Sequence, residues 1–122
     1  MKKIIAILLI VVFTLSLASC ADKYDDVTEQ LKEMHRSAYF YTESQISDMK
    51  KEYKMTEDIT AFANYSYVDI NGKELFLYVV ELASAEDAES YLKNHAKWWK
   101  YGYTSDNVVV YGNDSTINDL DL

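Results

Sequence analysis

Apolar positions follow one spacing after another along this chain, and each spacing predicts an element. Residues Ile4 to Ala18 form an unbroken apolar run apart from Thr14 and Ser16. Tyr24, Val27, Leu31, Met34, Ala38 and Tyr41 then recur at alternating intervals of three and four, the stripe of an amphipathic helix. Asp25, Asp26 and Glu29 stand near its start, where the helix dipole favours acids. The stripe also fits a heptad, but it falls short of the roughly three or four repeats a coiled coil needs, so a single helix is expected. Its aromatic end, "SAYFYT" (Ser37 to Thr42), suits an irregular or extended segment instead. Thr42 and Gln45 have the spacing of a capping box. Ile46, Met49 and Tyr53 follow and predict a second helix over 43–54, with Lys50, Lys51 and Lys54 at the end where cations complement the dipole.

The period then changes. "ITAFANYSYVDI" (Ile59 to Ile70) and "KELFLYVVEL" (Lys73 to Leu82) are rich in β-branched and aromatic residues and flank Asn71-Gly72. Asn-Gly favours the two-residue type I′ turn, whose central residues both take positive φ, so a β-hairpin is expected. A two-residue loop sets Val68 against Leu75 and Ser66 against Leu77 on one face, and Tyr67 against Phe76 and Tyr65 against Tyr78 on the other. Neither face reads as a plain solvent face; helices cover both, or one is left for a partner, including a second copy of the chain. Ser84 caps a third helix whose stripe is Ala88, Tyr91, Leu92, His95 and Trp99, ending by Gly102. "YGYTSDNVVVYG" (Tyr101 to Gly112) reads as two short strands with a turn at Ser105-Asp106, and "NDSTINDLDL" as a helical turn or two or a frayed end. The expected fold is α+β: two N-terminal helices, a hairpin, a third helix and short C-terminal strands, with an antiparallel sheet packed by helices. The run of strands, short helix and glycine resembles the β-β-α-β segment of ferredoxin-like domains, a likeness of fold that licenses no function.

The first apolar run needs a separate account. Its fifteen residues are short for a membrane-spanning helix, which needs roughly 20. With Lys2 and Lys3 before it and small residues after it, the run has the layout of a secretory signal, the lysines staying on the cytoplasmic side. Leu17-Ala18-Ser19-Cys20 resembles the lipobox of bacterial lipoproteins, Leu-(Ala/Ser)-(Gly/Ala/Ser)-Cys. The resemblance covers about the first 21 residues and says nothing of the rest. It implies that the Cys20 thiol receives a diacylglyceryl group and that cleavage between Ser19 and Cys20 makes Cys20 the first mature residue. Two acyl chains anchor stably where one binds only marginally. The expected organisation is a signal peptide over 1–19, a lipidated cysteine and short tether over 20–23, and one α+β domain over 24–122. The expected location is the cell membrane, lipid-anchored on its extracytoplasmic face.

Cys20 is the only cysteine, so the chain has no internal disulfide and the fold must be held by packing. Without residues 1–19, 10 basic groups face 20 acidic ones, a charge of −10 against −8 for the whole chain. That acidity argues against nucleic acid, which rewards basic contacts to phosphate, and against electrostatic docking on anionic lipid. The membrane partner is therefore expected to be met by the lipid alone.

Candidate chemistry is sparse. His35 and His95 lie on or beside helical stripes and match no serine or cysteine nucleophile by spacing. Asp69 and Glu74 are expected to oppose each other beside the turn, either as a cation site or, more plainly, as solvated turn residues. "NDSTINDLDL" lacks calcium-loop spacing, and no phosphate loop or dinucleotide fingerprint occurs. No cofactor or metal is expected. "KWWKYGY" (Lys97 to Tyr103) is the most unusual run. Adjacent tryptophans on a helix point about 100° apart, so one is expected to enter the core and the other to lie at its edge. Either both tryptophans complete the core, or Trp98, Tyr101 and Tyr103 form a binding surface for a protein or small ligand. The expectation is a non-enzymatic binding module; the alternative is an enzyme or metal-binding accessory protein using His35, His95 and nearby acids.

Overall fold

The first helical stripe closes sooner than its spacing suggests. In the computed structural model, which describes residues 23–122, α1 covers residues 23–33. His35 takes φ 59° just beyond it, and the backbone bonds His35 N to Lys32 O and Arg36 N to Leu31 O close a Schellman motif. The chain leaves this left-handed turn extended, so Ala38 belongs to strand β1 (Ser37–Phe40) and not to the helix. The extended reading of "SAYFYT" therefore holds over β1. Helix α2 (Glu43–Glu52) begins as expected, with both halves of the Thr42/Gln45 capping box made. It ends in a second Schellman motif around Lys54, at φ 53°.

Strands β2 (Ile59–Val68) and β3 (Glu74–Leu82) form the expected hairpin, but one residue out of the expected register. Tyr65 pairs with Leu77, Asn64 with Tyr78 and Val68 with Glu74. The cause is Asp69. Its carboxylate accepts the backbone N–H of Asn71 and of Lys73, both at 2.9 Å, while Gly72 N–H reaches Asp69 O at 3.0 Å. These bonds build a three-residue loop, with only Gly72 at positive φ, in place of the type I′ turn. Asp69 thus aligns with Lys73, and the expected Asp69–Glu74 opposition is not formed. A one-residue slip sends each partner side chain to the other face. Tyr65 and Tyr78 consequently lie on opposite sides of the sheet.

Helix α3 (Ala85–Tyr91) starts at the Ser84 cap and runs into a π-helical turn, Leu92–Ala96. Gly102 is not its cap. It lies in β4 (Tyr101–Ser105), which pairs with β5 (Val108–Gly112) across a turn at Asp106-Asn107. The end does not fray: Ser115–Asp119 form a 3-10 turn with Ile117 and Leu120 buried.

All five strands form one antiparallel sheet in the order β1-β2-β3-β5-β4. This order does not confirm the ferredoxin-like likeness, because β3 neighbours β5 with α3 and β4 inserted between them. Helices cover both faces. Val27 and Leu31 of α1, with Ile117 and Leu120, pack on Ala63, Tyr65, Leu77, Val79, Val108 and Val110. Ile46 of α2, with Ala88, Tyr91 and Ala96, packs on Phe62, Val80, Leu82, Val109 and Tyr111. Among the described residues both faces of the central strands are packed, while the edge strand β1 stays exposed. Burial of each large aliphatic side chain contributes about 1.5–3 kcal/mol, and these two layers are what hold a chain without an internal disulfide.

Candidate functional site

Side chains on α2 recur so that Gln45, Asp48, Met49 and Glu52 fall on one side of the helix. That side faces an open cleft of about 710 Å³ between α2 and the segment from Tyr91 to Trp99. Phe62, Tyr78 and Tyr111 form its floor, from three adjacent strands. Alternation along each strand puts these rings on the face opposite Tyr65 and Val79. Tyr41, Tyr53, Trp98 and Trp99 add further rings, so that aromatic side chains face the polar side of α2 across the cleft.

The rings are held by one another. Tyr41 packs on Phe62 at 4.6 Å, Phe62 on Tyr78 at 5.6 Å, and Tyr78 on Tyr111 at 5.1 Å. Trp99 meets Phe76 edge-on at 5.1 Å and reaches Tyr78 and Tyr111 at about 6 Å. Tilted and edge-on pairs of this kind add about 0.5–1.5 kcal/mol each beyond burial. At the back, the Tyr91 and Tyr111 hydroxyls share a buried hydrogen bond of 2.8 Å. Burial pushes the Tyr91 phenol up to about 12, with the bond from Tyr111 acting against that rise, and pushes Tyr111 up further still. Both stay neutral at any physiological pH, one hydroxyl donating to the other.

Behind one wall, under Asn94 and His95, lies a charged group that no sequence pattern announced. Glu57, in the loop from α2 to β2, is 3% exposed. Its carboxylate accepts from Ser90 at 2.9 Å and Asn94 at 3.1 Å, and lies 2.9 Å from His95 Nε2. Burial alone raises its pKa, but the bonds from Asn94, its own backbone, His95 and Ser90 win and hold it at about 2. The only hint was Ser90 and Asn94 one turn apart beside His95, polar residues clustered on a helix that faces a core. Their partner is more than 30 residues away in sequence, beyond the reach of any spacing rule.

The expected site residues do not gather as expected. His95 lines the cleft, held by Glu57, whereas His35 ends α1 on the other side of the sheet. The two histidines share no site. Among the described residues, no group of three or more His, Cys, Asp or Glu is placed to hold a metal ion. Trp98 and Trp99 lie in a turn after the π-helical segment and not on a helix. Trp99 leans on the aromatic cluster at 38% exposure, and Trp98, at 74%, stands at the cleft edge. Tyr101 packs on the α1 side of the sheet, and Tyr103 donates to Asn118 Oδ1 at 3.2 Å. Trp98, Tyr101 and Tyr103 therefore do not make one surface: β4 turns both tyrosines to the α1 side, while Trp98, in the turn before it, stands at the cleft. Cys20 and Ser19 fall outside the described residues, and no described helix is long and apolar enough to cross a membrane.

No protein-family model matches the chain, and comparison with curated proteins and with solved structures gives no match either.

Proposed function

We propose that this chain is a bacterial lipoprotein, anchored through Cys20 on the extracytoplasmic face of the cell membrane, whose domain binds a small ligand without chemistry. The anchor rests on the agreement of Lys2 and Lys3, the apolar core and Leu17-Ala18-Ser19-Cys20. The binding role rests on one observation: an open cleft of about 710 Å³ lined with aromatic rings, several of them exposed. That volume lies within the roughly 300–1,000 Å³ usual for small-molecule sites. Exposed Trp98 and Tyr53, 74% and 61% accessible, mark opposite walls.

Two experiments test the two halves. Cys20→Ala is expected to abolish lipid labelling and leave the precursor uncleaved; mature-sized, membrane-bound protein from that variant overturns the anchor. A thermal-shift screen of small organic molecules is expected to find ligands that raise the melting temperature of the wild type but not of Trp98→Ala. If every stabilising ligand acts equally on both proteins, the cleft is not the site.

The Glu57–His95 pair supports a second reading, an acid–base site, because a carboxylate holding one imidazole nitrogen orients the ring beside the cleft. His95→Gln separates the readings. It leaves ligand affinity within about twofold if His95 is only wall, and stops turnover of the bound ligand if His95 is the base.

A further inference from the structure

Two acids of α2 face the cleft, while Glu43 lies in the groove of the lysines. Asp48 and Glu52 line the aromatic cleft, while Lys50, Lys51 and Lys54 line a different groove with Ile46 and Ile59. No lysine or arginine is among the described residues that line the cleft, although Lys97 reaches the Trp98 ring at its edge. The cleft thus combines aromatic ring faces, tyrosine hydroxyls and two exposed carboxylates, on a chain of net charge −8. Ring faces carry the negative end of the aromatic quadrupole and attract cations within about 6 Å of the centroid. The chain already makes such a contact at this edge: the Lys97 ammonium lies 4.9 Å from the Trp98 ring.

We propose that the cleft between α2 and the turn after the π-helical segment takes an organic ammonium cation, seated on the rings of Tyr41, Tyr78, Trp98 and Trp99 and balanced by Asp48 and Glu52. This rests on the reading of the cleft as a ligand site and names the ligand's chemical class. Neutral ligands gain nothing from the carboxylates, and anions are disfavoured because Asp48 and Glu52 repel them. A simple metal cation is disfavoured because the rings cannot replace its oxygen ligands. An alkylammonium is large, weakly hydrated and apolar at its surface, so it loses little by leaving water for an aromatic lining.

The chain's two tryptophans, Trp98 and Trp99, both line the cleft, so intrinsic tryptophan fluorescence reports on that site alone. The test titrates the full chain, in an uncharged detergent, with choline and with its neutral carbon isostere 3,3-dimethylbutan-1-ol. Choline is expected to change the emission saturably and to bind about tenfold or more tightly than the isostere, as a desolvated cation–π contact implies. The double variant Asp48→Asn/Glu52→Gln is expected to weaken choline about tenfold and leave the isostere unchanged. Both substituted positions are exposed, so the variant keeps the fold, which the unliganded emission spectrum checks. Equal binding of choline and isostere overturns the cation assignment and leaves the cleft as a ligand site. Loss of both ligands' binding in Trp98→Ala, with the carboxylate variant unaffected, does the same. No response to choline also overturns it, and the thermal-shift screen then judges the cleft by itself.

Discussion

Glu57 shows how much one residue can be asked to do in a domain without disulfides. It is a buried anion that ties the loop before β2 to α3 through Ser90 and to the π-helical turn after it through Asn94 and His95. Its pKa falls from 4.5 to about 2, so its contribution to stability is fully present above pH 4.5 and is lost as the pH drops through 2. A shift of that size corresponds to something on the order of 3 kcal/mol at neutral pH. Urea denaturation of Glu57→Gln at neutral pH and near pH 2.5 checks this. The variant is expected to be less stable at neutral pH and to lose little more on acidification, so that the two proteins converge in acid. A constant gap across that range would mean that the ionised carboxylate is not what matters. From sequence, Glu57 was one acid among 20; its burial, shared only with Asp114 among the described acids, distinguishes it.

Among the elements, the β2–β3 hairpin is the clearest case of a feature legible in type and illegible in detail. Asn71-Gly72 and the flanking β-rich runs predict a hairpin, and a hairpin forms. Two backbone bonds to the Asp69 carboxylate then choose the longer loop and move the register by one residue. That choice decides that Tyr78 faces the cleft while Tyr65 faces α1. Asp69→Ala is expected to cost about 1–2 kcal/mol, the worth of losing bonds to a charged acceptor, while Asp69→Asn keeps an acceptor and costs less. Denaturation midpoints give the costs, and cross-strand amide contacts in an NMR spectrum of Asp69→Ala show whether the pairing of Tyr65 moves from Leu77 towards Tyr78. The helices followed similar logic. The α2 cap was readable because both partners are three residues apart, whereas the end of α1 depends on His35 adopting positive φ, which no spacing signals.

At the scale of the whole molecule, the two faces of the sheet have different characters. The α1 face is mostly aliphatic and is sealed by the C-terminal 3-10 turn; the α2–α3 face is aromatic and open at the cleft. Arg36 and Asp114 fasten the sealed side. Arg36 Nε lies 3.1 Å from Asp114 Oδ2, and the guanidinium stacks 4.1 Å over the Tyr67 ring. Asp114 is 2% exposed and its other oxygen accepts the Thr116 N–H. Removing it strands a mostly buried cation, so Asp114→Ala is expected to destabilise by about 3 kcal/mol. Hydrogen exchange is expected to localise the loosening to α1 and the end after β5; uniform loosening of α2 and α3 as well would show that the two layers are not separable.

By itself the sequence determined the α+β class, the hairpin, the N-caps of α2 and α3 and the aromatic, acidic character of the chain, because each rests on residues within a few positions of one another. It also carries the lipobox resemblance of the first 21 residues, which needs no fold. Tertiary structure alone decided the register, the sorting of Trp98 from Tyr101 and Tyr103, and the separation of His35 from His95. The Glu57–His95 pair and the cleft belong there too. The physical reason is common to all of them. A site depends on which faces of distant elements are turned towards each other, and here that orientation hangs on a single turn carboxylate and two left-handed residues at helix ends.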